Sequence, residues 1–226
     1  MAVLSYVSQP KPNISNDSIA ANAGTTYSLT MVNQSAADWT FYVYQKAPQP
    51  SADVFSLAWF ASPFVIVKGN QITFKWHLTY DFVWSATGQL LPGVDFSASG
   101  IRPASPNDNN TTNFDTKPGP HLSTPVPGQP TGSLVIQDSV NVPNNTYSVG
   151  IGMSGTGTYA VQAGRSLKHT FTPTPSYWVA AGTNVQIGTV LNITTITPTA
   201  EVLFGPNVFS MTATLDASNN WTFKNG

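Results

Sequence analysis

Cysteine is absent from this 226-residue chain. That excludes disulfides, thiolate catalysis and Cys-ligated zinc, and it leaves the compartment open. Charge is nearly as scarce: charged residues make up 8% of the chain, against about 25% in ordinary soluble domains. The formal net charge is −1 and no two Lys or Arg are adjacent. The basic footprint of a nucleic-acid binder is therefore missing, as is a polybasic membrane anchor. Long hydrophobic runs are missing too, so nothing approaches the roughly 18 apolar residues of a spanning helix. The N-terminal stretch MAVLSYVSQPKP has no basic residue ahead of its short apolar run, unlike a secretory signal. The expected location is cytoplasmic, or outside the cell after release without a signal peptide.

What the chain does have is apolar and aromatic residues, at 41% and 12%. The stretch Gln71–Ser85, QITFKWHLTYDFVWS, orders them most clearly. Its alternate positions are Ile72, Phe74, Trp76, Leu78, Tyr80, Phe82 and Trp84, with Thr73, Lys75, His77, Thr79 and Asp81 between them. Successive strand side chains point to opposite faces, so this pattern predicts a strand with one apolar wall. At about 3.3 Å per residue it would be unusually long, which predicts a bend or bulge.

The rest of the chain predicts an all-β, single-domain, two-sheet antiparallel β-sandwich. Residues 1–24 read as a loose arm and residues 25–226 as the domain. Short alternating segments recur with turn residues between them, and none has helical periodicity. Trp39–Gln45 is apolar on both sides of its alternation and is expected to be covered on both faces. Phe64–Lys68 and the long strand flank Gly69-Asn70, which suits a two-residue hairpin turn. Residues 94–98 and 185–197 also read as strands. Between residues 100 and 131, Pro103, Pro106, Pro118, Pro120, Pro125, Pro127 and Pro130 are mixed with asparagines. This composition predicts a long loop excursion without ladder structure.

Sequence motifs for chemistry are weak. Gly150-Ile151-Gly152-Met153-Ser154-Gly155 fits G-x-G-x-x-G, but the residues after it alternate as a strand, whereas dinucleotide binding needs a helix there. The glycines suit close approach across a sheet face instead. Ser154 lacks the second glycine of a nucleophile elbow, since Thr156 occupies that place. His77, His121 and His169 are far apart and show no metal-ligand spacing. Asp81 and Asp95 are the carboxylates nearest the aromatic-rich region and could be paired across a hairpin as in a glycosidase. Asn-X-Ser/Thr sequons are numerous, as expected by chance in an Asn/Thr-rich chain.

The segments TYSLTMVNQS, WTFYVYQKAP, VFSLAWF, ITFKWHLTYDFVWS, YSVGIGMSGTGTYAVQA and FTPTPSYWVAAG, taken in order, resemble the RhiA-like family. That family is named for a rhizosphere-expressed rhizobial product. The resemblance spans roughly residues 25–224. It implies a soluble, abundantly made protein linked to interaction with a host or neighbouring microbes, and it brings no established catalytic residues.

The residues themselves point to a non-enzymatic protein that binds a ligand or partner through an aromatic and polar sheet face. The candidate ligand residues are Lys75, His77, Asp81, Tyr177 and Trp178. Lys75, His77 and Asp81 would form a ridge on one face of the long strand. Trp178 follows Pro173, Pro175 and Tyr177, and is the tryptophan expected to be most exposed. A lectin-like glycan binder is the first alternative. The second is a small enzyme using Asp81 or His77 as an acid–base group. No cofactor, metal, nucleic acid or membrane span is implied. Weak charge repulsion and undefended sheet edges predict a homo-oligomer, most simply a dimer.

Overall fold

The computed structural model describes residues 24–47 and 53–226, so nearly all of the expected N-terminal arm lies outside the described residues. Among the described residues there are seventeen strands and no helix. In chain order they are β1 (Thr26–Asn33), β2 (Thr40–Gln45), β3 (Phe55–Ser56), β4 (Phe60–Ala61), β5 (Gln71–His77) and β6 (Tyr80–Ser85). Then come β7 (Gly100–Ala104), β8 (Thr111–Asp115), β9 (His121–Leu122), β10 (Leu134–Asp138), β11 (Ser148–Met153) and β12 (Thr156–Gln162). The last are β13 (Lys168–Phe171), β14 (Tyr177–Gly182), β15 (Thr199–Val202), β16 (Ser210–Leu215) and β17 (Trp221–Asn225).

The sandwich is doubled. Four open sheets run in the orders β17-β16-β1-β5, β15-β14-β2-β4, β3-β12-β11-β6-β7 and β13-β10-β8-β9. The first two enclose one core, in which Leu29, Met31, Phe74 and Trp76 meet Phe41, Val43, Tyr177 and Val179. The other two enclose a second, in which Phe82, Val149, Ile151 and Val161 meet Phe114, Leu134, Ile136 and Phe171. Most pairings are antiparallel; β1 with β16 and β8 with β10 are parallel.

The long strand is where the two sandwiches join. It breaks at Leu78 and Thr79, so β5 ends the first sheet while β6 lies inside the third. Ile72, Phe74 and Trp76 are buried as the alternation requires. Leu78, expected inside, is 45% exposed because it sits at the switch between sheets. Beyond the break both faces are covered: Phe82 packs into the second core, and Val83 packs with Leu57, Leu90 and Phe96 beneath the loops outside it.

β2 is buried along its whole length, as its two-sided pattern predicts. Phe41 and Val43 enter the first core, while Tyr42 and Tyr44 pack with Ala180 and Leu191 on the other side. Segments 94–98 and 185–197 are corrections. They form only isolated bridges, Asp95 with Thr189 and Leu57 with Val190, and serve as covers over outer sheet faces. Phe64–Lys68 is another: it makes a single bridge, Ile66 to Trp39, and no hairpin with β5. Gly69 does supply the positive φ, 84°, that turns the chain.

The stretch 100–131 also departs from expectation. It supplies β7, β8 and β9, and β8 is an inner strand of the fourth sheet. Pro103 falls on the edge strand β7, and the other six prolines lie outside the named strands, where no ladder needs their N–H. Asn110 holds the segment down: its side-chain amide donates to the Pro130 and Ser133 carbonyls at 3.0 and 3.1 Å, and its Oδ1 accepts from Gly128 N at 2.7 Å.

Candidate functional site

The five residues singled out in the sequence do not converge. Lys75 is exposed on the outer face of β5, and His77 is half-buried at the end of that face. His77 Nδ1 lies 3.3 Å from the Gly24 carbonyl and 3.4 Å from Thr26 Oγ1. Asp81 lies past the sheet switch and is 8% exposed, so the expected ridge is cut in two. Its Oδ2 accepts from Gly155 N at 2.8 Å. Burial pushes its carboxyl up to about 6, partly opposed by that hydrogen bond.

Tyr177 and Trp178 point opposite ways, as neighbours on a strand must. Tyr177 is buried among Trp59, Trp76 and Phe204 in the first core. Trp178 is half-buried on the far face, where Lys46 Nζ sits 3.2 Å from its ring centre. Loss of water lowers the Lys46 pKa from its ordinary value, and Glu201, cross-strand from Trp178, counters this. Asp95 is committed elsewhere, accepting from Gln186 Nε2 and, at 3.1 Å, from Thr189 Oγ1. Asp81 and Asp95 are thus each held by separate local partners.

The G-x-G-x-x-G segment forms a hairpin, not a nucleotide loop. β11 and β12 meet through Ser154 and Gly155, both at positive φ (52° and 77°). A Cβ on Gly150 would fall 1.9 Å from the Tyr159 carbonyl oxygen, so only glycine tolerates that approach.

Two features were not visible in the sequence. The first is the outer face of the first sheet. Its rows run Lys224-Thr212-Thr30-Thr73 and Ser210-Ser28-Lys75 across the strands, with Thr214 opposite Thr222. Thr30 and Thr73 share a hydrogen bond of 2.8 Å, and Ser28 donates to Ser210 at 3.0 Å. Strands lie roughly 4.7–4.9 Å apart, and same-face residues recur about every 6.7 Å along each. The hydroxyls therefore repeat on a grid, with two amines and no carboxylate in those rows. Each strand shows alternating Ser/Thr, but only the pairing of β1 with β16, some 180 residues apart, assembles the grid.

The second feature is a histidine–carboxylate pair. His169 Nε2 donates to Asp138 Oδ2 at 2.9 Å, and Gly164 N donates to the same oxygen at 2.9 Å. Asp138 Oδ1 is buried and has no hydrogen-bond partner among the described residues. His169 lines a cleft of about 560 Å³, with Asp138 buried behind it. Antiparallel pairing of β10 and β13 brings them together, and the intervening β11–β12 hairpin belongs to another sheet, so spacing alone could not signal it.

These features define a cysteine-free, all-β protein of paired open sheets with a hydroxyl-lined face and a polar cleft. The family model RhiA matches residues 24–226, and the chain belongs to the RhiA family. It is similar to the protein named Protein RhiA of Rhizobium leguminosarum bv. viciae, with 63% identity over 204 residues, covering 90% of this chain and 88% of that protein. No solved structure matches the chain. No helix among the described residues is long and apolar enough to cross a membrane.

Proposed function

We propose that this RhiA-type protein is a binding protein whose recognition surface is the hydroxyl face of the first sheet, and that it contacts glycans of a host or of neighbouring microbes. The observation that carries the reading is the register that lines up Thr212, Thr30 and Thr73 beside Ser210, Ser28 and Lys75. Hydroxyls both donate and accept, so a grid of them is matched by a partner that is itself a repeating array of hydroxyls. Lys75 and Lys224, with no opposing carboxylate in the rows, favour chains bearing acidic sugars. Such contacts are weak singly and gain strength by repetition along a polymer.

A glycan array carrying neutral and uronate-bearing polysaccharides tests this directly. The expected result is binding to acidic chains that weakens as salt rises, because exposed charges are screened over about 10 Å at 0.1 M. Absence of binding to every polysaccharide would refute it.

Self-association belongs to the same proposal. Leu203 and Phe209 are both well exposed beside Phe204 and Tyr27, leaving an apolar patch at one edge of the first sandwich. A two-fold dimer through this patch would also double the number of hydroxyl faces presented to a polymer.

A further inference from the structure

We infer that the cleft beside His169 is a second binding site, for a single sugar or similar small neutral polyol, separate from the sheet face. Its key element is an imidazole whose Nε2 is held on a buried carboxylate. Asp138 has a buried carboxylate that can only accept, and it takes its hydrogen bond from His169 Nε2 at 2.9 Å. Nε2–H therefore faces Asp138, and Nδ1 is the ring nitrogen left for a ligand. Nδ1 makes no hydrogen bond to any described residue, and the side chain is 12% exposed where it lines the cleft.

A carboxylate with one buried oxygen unpartnered is costly to hold in place. Here it holds the imidazole at the wall of a space of about 560 Å³, well within the roughly 300–1,000 Å³ of small-molecule sites. A hydroxyl suits Nδ1, because it can both donate and accept.

The lining includes the charged residues Asp53 and Lys168, and its other groups fit a polyol. Asn144 and Asn145 supply amides, and Asn145 sits in the turn at φ 56°. Thr170 adds a hydroxyl, while Phe171, Leu167 and Val161 supply apolar wall for the C–H face of a sugar ring. β13 is the edge strand of its sheet among the described residues.

The test uses the full chain and free D-glucose, D-galactose, D-mannose and N-acetylglucosamine as probes. Imidazole ¹⁵N spectra should show His169 protonated at Nε2, and one of the sugars should shift its Nδ1 resonance saturably. His169→Gln is the informative variant, because Gln Nε2 can reproduce the donor to Asp138 while its Oε1 does not occupy the position of Nδ1. Its fold should survive, its affinity for that sugar should fall about tenfold, the value of one lost hydrogen bond, and polysaccharide binding by the sheet face should be unchanged. If His169→Gln does not fold, the saturable shift at wild-type Nδ1 decides alone. No shift with any of the four sugars, or equal affinity in a folded His169→Gln, overturns the inference.

Discussion

Ser154 and His77 exchange two hydrogen bonds: Ser154 Oγ accepts from His77 N and donates to the His77 carbonyl, each at 2.8 Å. Ser154 N also donates to Thr79 O at 3.1 Å. The tip of the β11–β12 hairpin thus closes the gap where the long strand changes sheets. Backbone groups freed by the switch would otherwise lack partners, and burying such a group unpaired costs about 1–3 kcal/mol. Ser154→Ala is expected to destabilise by about that amount in urea unfolding, since it removes both bonds and keeps a Cβ at positive φ. Ser154→Gly should cost less, because glycine relieves the φ of 52°.

The two ends of the long strand should respond differently to truncation. Trp76 is fully buried among Tyr27, Trp59 and Tyr177, and Trp76→Ala should cost about 3–5 kcal/mol. Leu78→Ala should cost under about 1 kcal/mol, because Leu78 faces solvent at the switch. Equilibrium unfolding of both variants checks the contrast.

Asparagine 110 gives a sharper test of the proline-rich stretch. It is buried and holds Pro130, Ser133 and Gly128 together. Asn110→Ala should lower stability by about 2–4 kcal/mol, as expected when several buried groups lose a partner. Deleting residues 107–112 should abolish the second sandwich, visible as loss of near-ultraviolet dichroism from Trp84 and Tyr147, which flank Phe114.

Asp81 makes stability depend on pH in a definite direction. Its folded pKa, pushed up to about 6 by burial, lies above the ordinary 3.8. Between those values the folded state binds more protons than the unfolded one, so stability falls as pH rises from about 4 to about 6. The full effect is about 3 kcal/mol at one pKa unit per 1.36 kcal/mol. Asp81→Asn should flatten that slope and raise the melting temperature at pH 8.

What the sequence made legible was periodicity within single segments. Ile72, Phe74 and Trp76 are buried, Lys75 is exposed, and β2 is covered on both faces, all as alternation implies. What it concealed depends on which strands pair. Leu78 continues the apolar parity of its stretch and nothing local marks the change of sheet; the turn that fixes it lies more than seventy residues away at Ser154. Prolines 103 to 130 suggested a loop because each lacks a donor. The register nevertheless sets Pro103 on β7, the edge strand beside Asp81, where that donor is not needed. The candidate face was half legible: Lys75 and His77 lie on it, but the hydroxyl rows exist only once β1 and β16 are parallel neighbours.

For the dimer, light scattering at micromolar protein is expected to give about twice the 24.1 kDa chain mass. Leu203→Asp with Phe209→Asp should return it to the monomer mass. A wild-type mass near 24.1 kDa that persists on concentration would remove self-association from the proposal.

The hydroxyl face itself is tested most directly by the double variant Thr30→Val, Thr73→Val. Valine keeps the β-branched shape and removes only the hydroxyls that share the 2.8 Å bond. Binding to a uronate-bearing polysaccharide, measured by calorimetry, should weaken at least about tenfold, with the melting temperature moving by no more than a few degrees. Undiminished binding in a folded double variant would contradict recognition through this face.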